Sequence, residues 1–167
     1  MVDRPPRSTS GVRMIRLQKI LTATDFSEHS LVALRYTAAL AEAFRADVIV
    51  CHVLERPDFL AQLPPIGEGY FPPNLPEIQE KQARIHTEQQ LAQTGLSNAR
   101  VVIRVGTPYL EIVNAAKEEN VDLVIVGTHG RSAIAQLLLG AVAEKVVRLA
   151  PCPVLTVRSG EHDFVIP

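Results

Sequence analysis

The chain alternates between short apolar runs and longer stretches in which apolar residues recur with helical spacing. The short runs are rich in Val, Ile and Leu and are bounded by turn or polar residues, which is typical of strands buried on both faces. The pattern predicts five strands: Leu17–Thr22, Asp47–Leu54, Val101–Val105, Leu123–Val126 and Val154–Val157.

Four helices are predicted between these strands. Ser27 or Asp25 is placed to cap the first helix, and Thr107 followed by Pro108 opens the third. The predicted helices are about Glu28–Arg45, about Glu77–Thr94 ending before Gly95, Thr107 to about Glu119, and a stretch that carries Ile134, Leu138, Val142, Val146 and Leu149. The alternation of strands and helices predicts an α/β fold, in which helices cover both faces of a parallel sheet.

In sheets of this kind, ligands bind beyond the carboxyl ends of the strands, at the point where the strand order changes direction. The turns after Thr22 and Val126 are therefore the predicted site. A long irregular segment, Glu55–Leu75, follows the second strand and holds five prolines and two glycines. It is either a variable surface insertion or a loop that flanks the site.

Composition narrows the class of protein. With 167 residues the chain fits one domain, predicted as 17–160 between an N-terminal tail, 1–16, and a C-terminal tail, 161–167. The net charge is −1 and no Lys/Arg-rich block is present, which argues against a nucleic-acid-binding face. Cys51 and Cys152 form no CxxC pair, and neither a secretory leader pattern nor an apolar run of membrane-spanning length is found. A cytoplasmic location is expected.

Three glycines stand close to the fourth predicted strand. Gly127 and Gly130 form a GxxG turn between strand and helix, where bare backbone amides can approach an anion, although many such turns need no ligand to explain them. Gly140 interrupts LLLGAVAEKVV, where glycine is unfavourable by about 1 kcal/mol relative to alanine. Either the backbone approaches something at Gly140 or the helix begins near it, and in both cases the amides of Gly140 and its successors are expected to face a phosphate.

The spacing Gly-x2-Gly-x9-Gly, formed by Gly127, Gly130 and Gly140, resembles the nucleotide-binding signature of the universal stress protein family. Four further stretches resemble the first, second, fourth and fifth strands of that family: KILTATDFSEHSLVAL, VIVCHVLE, VDLVIVGTHGR and APCPVLTV. The resemblance covers about residues 17–158, essentially the whole predicted domain. It implies a Rossmann-like, five-stranded parallel sheet with strand order 3-2-1-4-5.

The resemblance also implies an assembly and a ligand. Family members commonly form homodimers, often by pairing their last strands antiparallel, and the corresponding strand here is Val154–Val157, an unpaired edge. One branch of the family binds ATP on its glycine loop, whereas the other lacks the glycines and does not. The three glycines favour the ATP-binding branch.

Carried over residue by residue, the resemblance implies an ATP site with three parts. Thr24 and Asp25 would lie beside the adenosine, and Val53 would pack against the base. Val126 and Gly127 would line the floor. The phosphates would be surrounded by Gly130, Arg131, Gly140 and Val142, and Ser132 would offer a hydroxyl. His129 is a further candidate for ligand contact because of its own place in the loop.

Ala141 departs from the family pattern, which has Ser or Thr at this position. Its backbone N–H is kept, so the loss is one side-chain hydrogen bond, on the order of 1 kcal/mol. Phosphate affinity would fall by at most about tenfold, and the preference among ATP, ADP and AMP is left open. Mg²⁺ would be recruited by the phosphates, because no carboxylate pair in the sequence is placed to hold it.

Three functions fit the sequence. The leading one is a regulatory, homodimeric ATP-binding protein of the stress response, and the alternative is a protein-interaction module that keeps the fold without nucleotide. A slow ATPase is disfavoured, because no general base is positioned and the phosphate loop has no lysine. His52 is expected to hydrogen-bond locally rather than to bind metal, since no second ligating residue stands at metal-ligand spacing.

Overall fold

A computed structural model describes residues 16–55, 75–128 and 139–158. The described strands are β1 (Lys19–Thr24), β2 (Asp47–Leu54), β3 (Arg100–Val105), β4 (Leu123–Gly127) and β5 (Val154–Val157). The described helices are α1 (Glu28–Phe44), α2 (Leu75–Thr94), α3 (Pro108–Glu118) and α4 (Ala141–Leu149). The predicted order of elements is confirmed for these residues.

All five strands are parallel, in the order β3-β2-β1-β4-β5. The predicted α/β, Rossmann-like fold and its strand order are therefore confirmed. Because β2 and β4 flank β1 on opposite sides, the direction of winding changes between β1 and β4. This topology opens a crevice at the carboxyl ends of those two strands, which is where ligands bind in open α/β sheets.

The strands alternate their side chains between two cores. Leu21, Cys51 and Val124 point to the face covered by α3 and α4, where they pack with residues such as Ile112 and Val146. The opposite face is covered by α1 and α2, with these residues packed between sheet and helices: Ile20, Ala33, Leu34, Val50, Leu91 and Ile125. Burial on both faces explains why the strands read as continuous apolar runs.

One predicted boundary at the site is wrong, and the structure decides a second one that the sequence leaves open. β1 ends at Thr24 rather than Thr22, so the turn at the crevice begins two residues later. α4 begins at Ala141, with Gly140 as its N-cap, which agrees with the alternative that the helix starts near residue 140. Of the apolar residues assigned to this helix, Val146 is buried, whereas Val142 and Leu149 are exposed.

Several predictions fall outside the described residues. These are Ile134 and Leu138, nearly all of the predicted loop Glu55–Leu75, nearly all of the predicted N-terminal tail and the whole predicted C-terminal tail. Among the residues that are described, no helix combines the length and apolar character needed to cross a membrane.

Candidate functional site

A cleft of about 930 Å³ lies at the carboxyl ends of β1, β2 and β4, where the winding changes direction. Its volume is at the upper end of the range for small-molecule sites, roughly 300–1,000 Å³. The predicted site residues that line it are Thr24, Asp25, Val53, Val126, Gly127, Gly140, Ala141 and Val142. Four other predicted site residues lie outside the described residues: His129, Gly130, Arg131 and Ser132.

The turn between β1 and α1 forms one end of the cleft. The Thr24 hydroxyl donates to Gln90 Oε1 over 2.7 Å and accepts from the backbone N–H of Phe26. Asp25 Oδ1 accepts from both the N–H and the hydroxyl of Ser27. Ser27 is the N-cap of α1 and accepts from the N–H of Ser30. Capping therefore belongs to Ser27, while Asp25 orients the cap and presents a carboxylate at the cleft.

An aromatic group that the sequence reasoning missed lines the same end. The Phe26 ring stacks on His52 with centroids 4.2 Å apart and meets His86 of α2 edge-on at 5.7 Å. Phe26 has φ of 66°, a left-handed conformation that is unusual for a bulky side chain and tends to occur at functional sites. His52 Nδ1 lies 2.8 Å from the carbonyl oxygen of Thr24, so this nitrogen carries the proton, and the predicted local hydrogen bond of His52 is present.

Helix α2 contributes a wall that helical spacing did not single out as functional. Gln79, Gln82 and His86 line the cleft, although the sequence pattern assigned no role to them. The hydrogen bond between Gln90 and Thr24 fixes α2 against the end of β1. The sequence alone could not identify these three residues as part of the site, because their role depends on the packing of α2 beside the crevice.

Gly127 ends β4 beneath helix α1. A Cβ at this position would lie 2.9 Å from both the carbonyl carbon and the carbonyl oxygen of His29. This separation is shorter than real Cβ contacts, so the close approach of α1 excludes any side chain here. The glycine leaves the backbone bare at the floor of the cleft.

Gly140 has a structural role that corrects one expectation. Its N–H donates to the carbonyl of Thr128 over 2.7 Å, so it is already occupied and does not face a phosphate. Its carbonyl accepts from the N–H of Glu144, the first hydrogen bond of α4. The amides that open this helix are those of Ala141, Val142 and Ala143, and all three residues line the cleft.

The chemistry of the described lining suits binding better than covalent catalysis. The start of α4 carries a partial positive charge of roughly half an elementary charge, and the helix N-terminus favours anions. Burial raises the pKa of the Cys51 thiol to about 12, so this cysteine stays protonated and is not a nucleophile. No group of three or more His, Cys, Asp or Glu side chains within the described ranges is arranged to hold a metal ion.

Comparison with known proteins places the whole domain in one family. Residues 16–158 match the family model of the universal stress protein family. The chain is 37% identical over 140 residues to a universal stress protein of Thermus aquaticus, covering 83% of this chain and 97% of that protein. It is 30% identical over 159 residues to universal stress protein MJ0577 of Methanocaldococcus jannaschii, covering 86% and 96% of the two chains.

Solved structures agree with the sequence matches. The structure of MJ0577 superposes with a TM-score of 0.72 at 30% identity, covering 89% of this chain and all of that one. A universal stress protein in complex with cAMP superposes with a TM-score of 0.57 at 27% identity, covering 84% and 95% of the two chains. On the match of its sequence, its strand order and its fold, this chain belongs to the universal stress protein family.

Proposed function

We propose that this protein binds an adenine nucleotide, ATP in the first place, and acts as a nucleotide-responsive regulatory protein of the stress response in the cytoplasm. One observation carries the proposal: the amides of Ala141, Val142 and Ala143 open α4 at the wall of a cleft of nucleotide size. A helix N-terminus at the winding change of a parallel sheet is a common phosphate site. The relative solved with cAMP supports an adenine nucleotide as the ligand.

The described residues fit the parts of such a ligand. Val53 is half-buried at the end of β2 and offers an apolar surface to the base. Thr24 and Asp25, held by their turn, offer a hydroxyl and a carboxylate to the adenosine. Val126 and Gly127 provide the floor. The other proposed contacts lie outside the described residues: Gly130 and Arg131 follow from the family resemblance, and His129 and Ser132 from their place beside them in the sequence.

The described lining offers few ligands for Mg²⁺. Asp25 and Glu55 are the acidic residues among the described lining, and Asp25 is engaged by Ser27. Mg²⁺ prefers octahedral oxygen ligands and keeps several waters. We therefore propose that Mg²⁺ arrives with the phosphates of ATP, and that ADP and AMP also enter the cleft without it.

The proposal is tested by calorimetry on two variants of Ala141. We expect wild-type protein to bind ATP at micromolar to sub-millimolar concentration. Ala141→Asp sets a carboxylate at the phosphate-binding end of α4 and is expected to lower ATP affinity by about tenfold or more. Ala141→Asn has nearly the same shape without the charge and is expected to change affinity by less than about threefold. Both residues are accepted in the first turn of a helix, so folding is preserved.

Mass spectrometry of nucleotide released from the purified protein is the companion measurement. Adenine nucleotide in near-stoichiometric amount supports the proposal. Absence of calorimetric heat and of a thermal shift at millimolar ATP, ADP and AMP would contradict it. The protein-interaction module without nucleotide then takes its place.

A homodimer is the second part of the proposal. The outer edge of β5, Val154–Val157, has no partner strand among the residues that the structure describes, and pairing it antiparallel with the same strand of a second chain would satisfy its backbone groups. The two clefts would then lie in one assembly, where nucleotide binding in one chain is able to influence the other.

A further inference from the structure

Lys145 lies one helical turn beyond Ala141, which lines the cleft, and its ammonium group is held against an aromatic ring. Nζ lies 4.5 Å from the centroid of the Tyr109 ring. Tyr109 follows Pro108, which is part of the cleft wall. We propose that Lys145 is a phosphate-binding residue, and that Tyr109 holds its ammonium group in reserve until a nucleotide arrives. This inference rests on the proposed nucleotide function and names a residue that sets the preference for a longer phosphate chain.

The charge of the cleft leaves room for a cation. The residues with a formal charge among the described lining are Asp25 and Glu55, and both are acidic. The dipole of α4 offers about half a positive charge, which is small beside the charge of a triphosphate. Beside the proposed contact of Arg131, a second cation such as the Lys145 ammonium group would offset more of the charge of the phosphates.

The geometry of α4 directs Lys145 toward the amides that open the helix. Residues four apart lie on the same face of a helix, and side chains lean toward its N-terminus. An extended Lys145 side chain would therefore reach back to Ala141, because the axial distance of about 6 Å between the two residues is comparable to its length. The small side chain of Ala141 leaves that path open, at the position where the family pattern has a hydroxyl.

The contact with Tyr109 is weak enough to be exchanged. A cation–π contact of an exposed lysine shifts a population by a factor of about two to five. A charge-assisted hydrogen bond to a phosphate is stronger than this. A bound triphosphate is therefore expected to draw Lys145 from the ring, and AMP, with less charge, to do so weakly.

The first test removes the charge. Lys145→Met keeps the length of the side chain and is expected to lower ATP affinity by about tenfold and AMP affinity by at most about twofold. Lys117→Met is the matched control, because it deletes the same charge near the C-terminal end of α3, away from the cleft. The dependence of ATP affinity on salt concentration is expected to become shallower in Lys145→Met alone.

The second test removes the holding contact. Tyr109→Leu is expected to raise ATP affinity by about two- to fivefold, because the competing contact in the free protein is lost. Tyr109→Phe keeps the ring and is expected to match wild type. A purely structural role of Tyr109 would lower ATP affinity in the leucine variant instead. NMR of methylated lysines gives a direct readout, since the ring-current shift of Lys145 should disappear with ATP and persist with adenosine.

The outcomes separate this inference from the function on which it rests. Failure of wild-type protein to bind any adenine nucleotide contradicts the proposed function. ATP binding with equal affinities for Lys145→Met and Lys117→Met overturns the role of Lys145 and leaves the nucleotide function standing. Equal losses for ATP and AMP in Lys145→Met also overturn it, because the residue would then not respond to phosphate charge.

Discussion

The two described glycines of the signature serve the fold before they serve any ligand. Gly127 is required because a Cβ would meet the backbone of His29 in α1, and backbone atoms cannot rotate away as a flexible side chain can. Gly140 is a favourable N-cap whose N–H is bound to Thr128. Both positions also leave bare backbone at the cleft. The packing requirement and the proposed ligand requirement thus coincide in the same residues.

Gly127→Ala tests whether the glycine is needed more for packing against α1 or for ligand binding. We expect the variant to lose about 1–3 kcal/mol of unfolding free energy, because the added methyl group overpacks against α1. Urea denaturation without nucleotide measures this loss. Gly95→Ala is the comparison, since Gly95 has φ of 77° and open space around it, so only the conformational penalty applies. Unchanged stability of Gly127→Ala together with lost ATP binding would show that the glycine is kept for the ligand.

At the scale of elements, the continuous apolar runs of the strands, the helical spacing between them and the capping, Pro and Gly residues at the helix ends predict every described strand and helix. Boundaries were less predictable where a tertiary contact sets them. The start of α4 depends on the bond from Gly140 to Thr128, and the end of β1 depends on its pairing with β2 as far as Thr24 and His52. The contribution of α2 to the cleft could not be predicted for the same reason. Gln82 and its neighbours line the cleft only because α2 packs beside the strands that form it.

Ser27 both caps α1 and holds Asp25, which lines the cleft. Ser27→Ala removes the cap of α1 and both hydrogen bonds that its side chain makes, to Ser30 and to Asp25. We expect a loss of about 1 kcal/mol in unfolding free energy and weaker ATP binding, because the Asp25 carboxylate keeps only its hydrogen bond from the backbone N–H of residue 27. Ser27→Asn keeps a capping oxygen and is expected to retain most of the stability. Full stability of Ser27→Ala in urea would contradict the capping role.

At the scale of the whole molecule, the two edges of the sheet are chemically unequal. β3 carries Arg100 and Arg104, which pair with Glu119 and Glu118 of the segment that follows, and the hydrogen bond from Arg104 lowers the pKa of Glu118. Charged side chains on an edge strand discourage pairing with another chain. The sequence of β5, VLTV, has no charge along its length. The asymmetry supports β5 rather than β3 as the edge used by the proposed homodimer.

Leu155→Lys places a charge on the β5 edge and is expected to shift the protein toward monomer in light scattering, because antiparallel pairing of this four-residue strand with its copy would bring two lysines into one short interface. Val157 is a poor choice for the same test, since it is only 3% exposed and a charge there would disturb the core. Val105→Lys is the matched control, because Val105 is exposed at the end of the opposite edge strand, and we expect this variant to keep the wild-type mass.

Leu155 packs partly against the core, so a thermal shift assay must show that the Leu155→Lys variant is folded at the temperature of the measurement. A folded Leu155→Lys protein with the mass of a dimer, or a Val105→Lys protein that becomes a monomer, would move the interface away from β5.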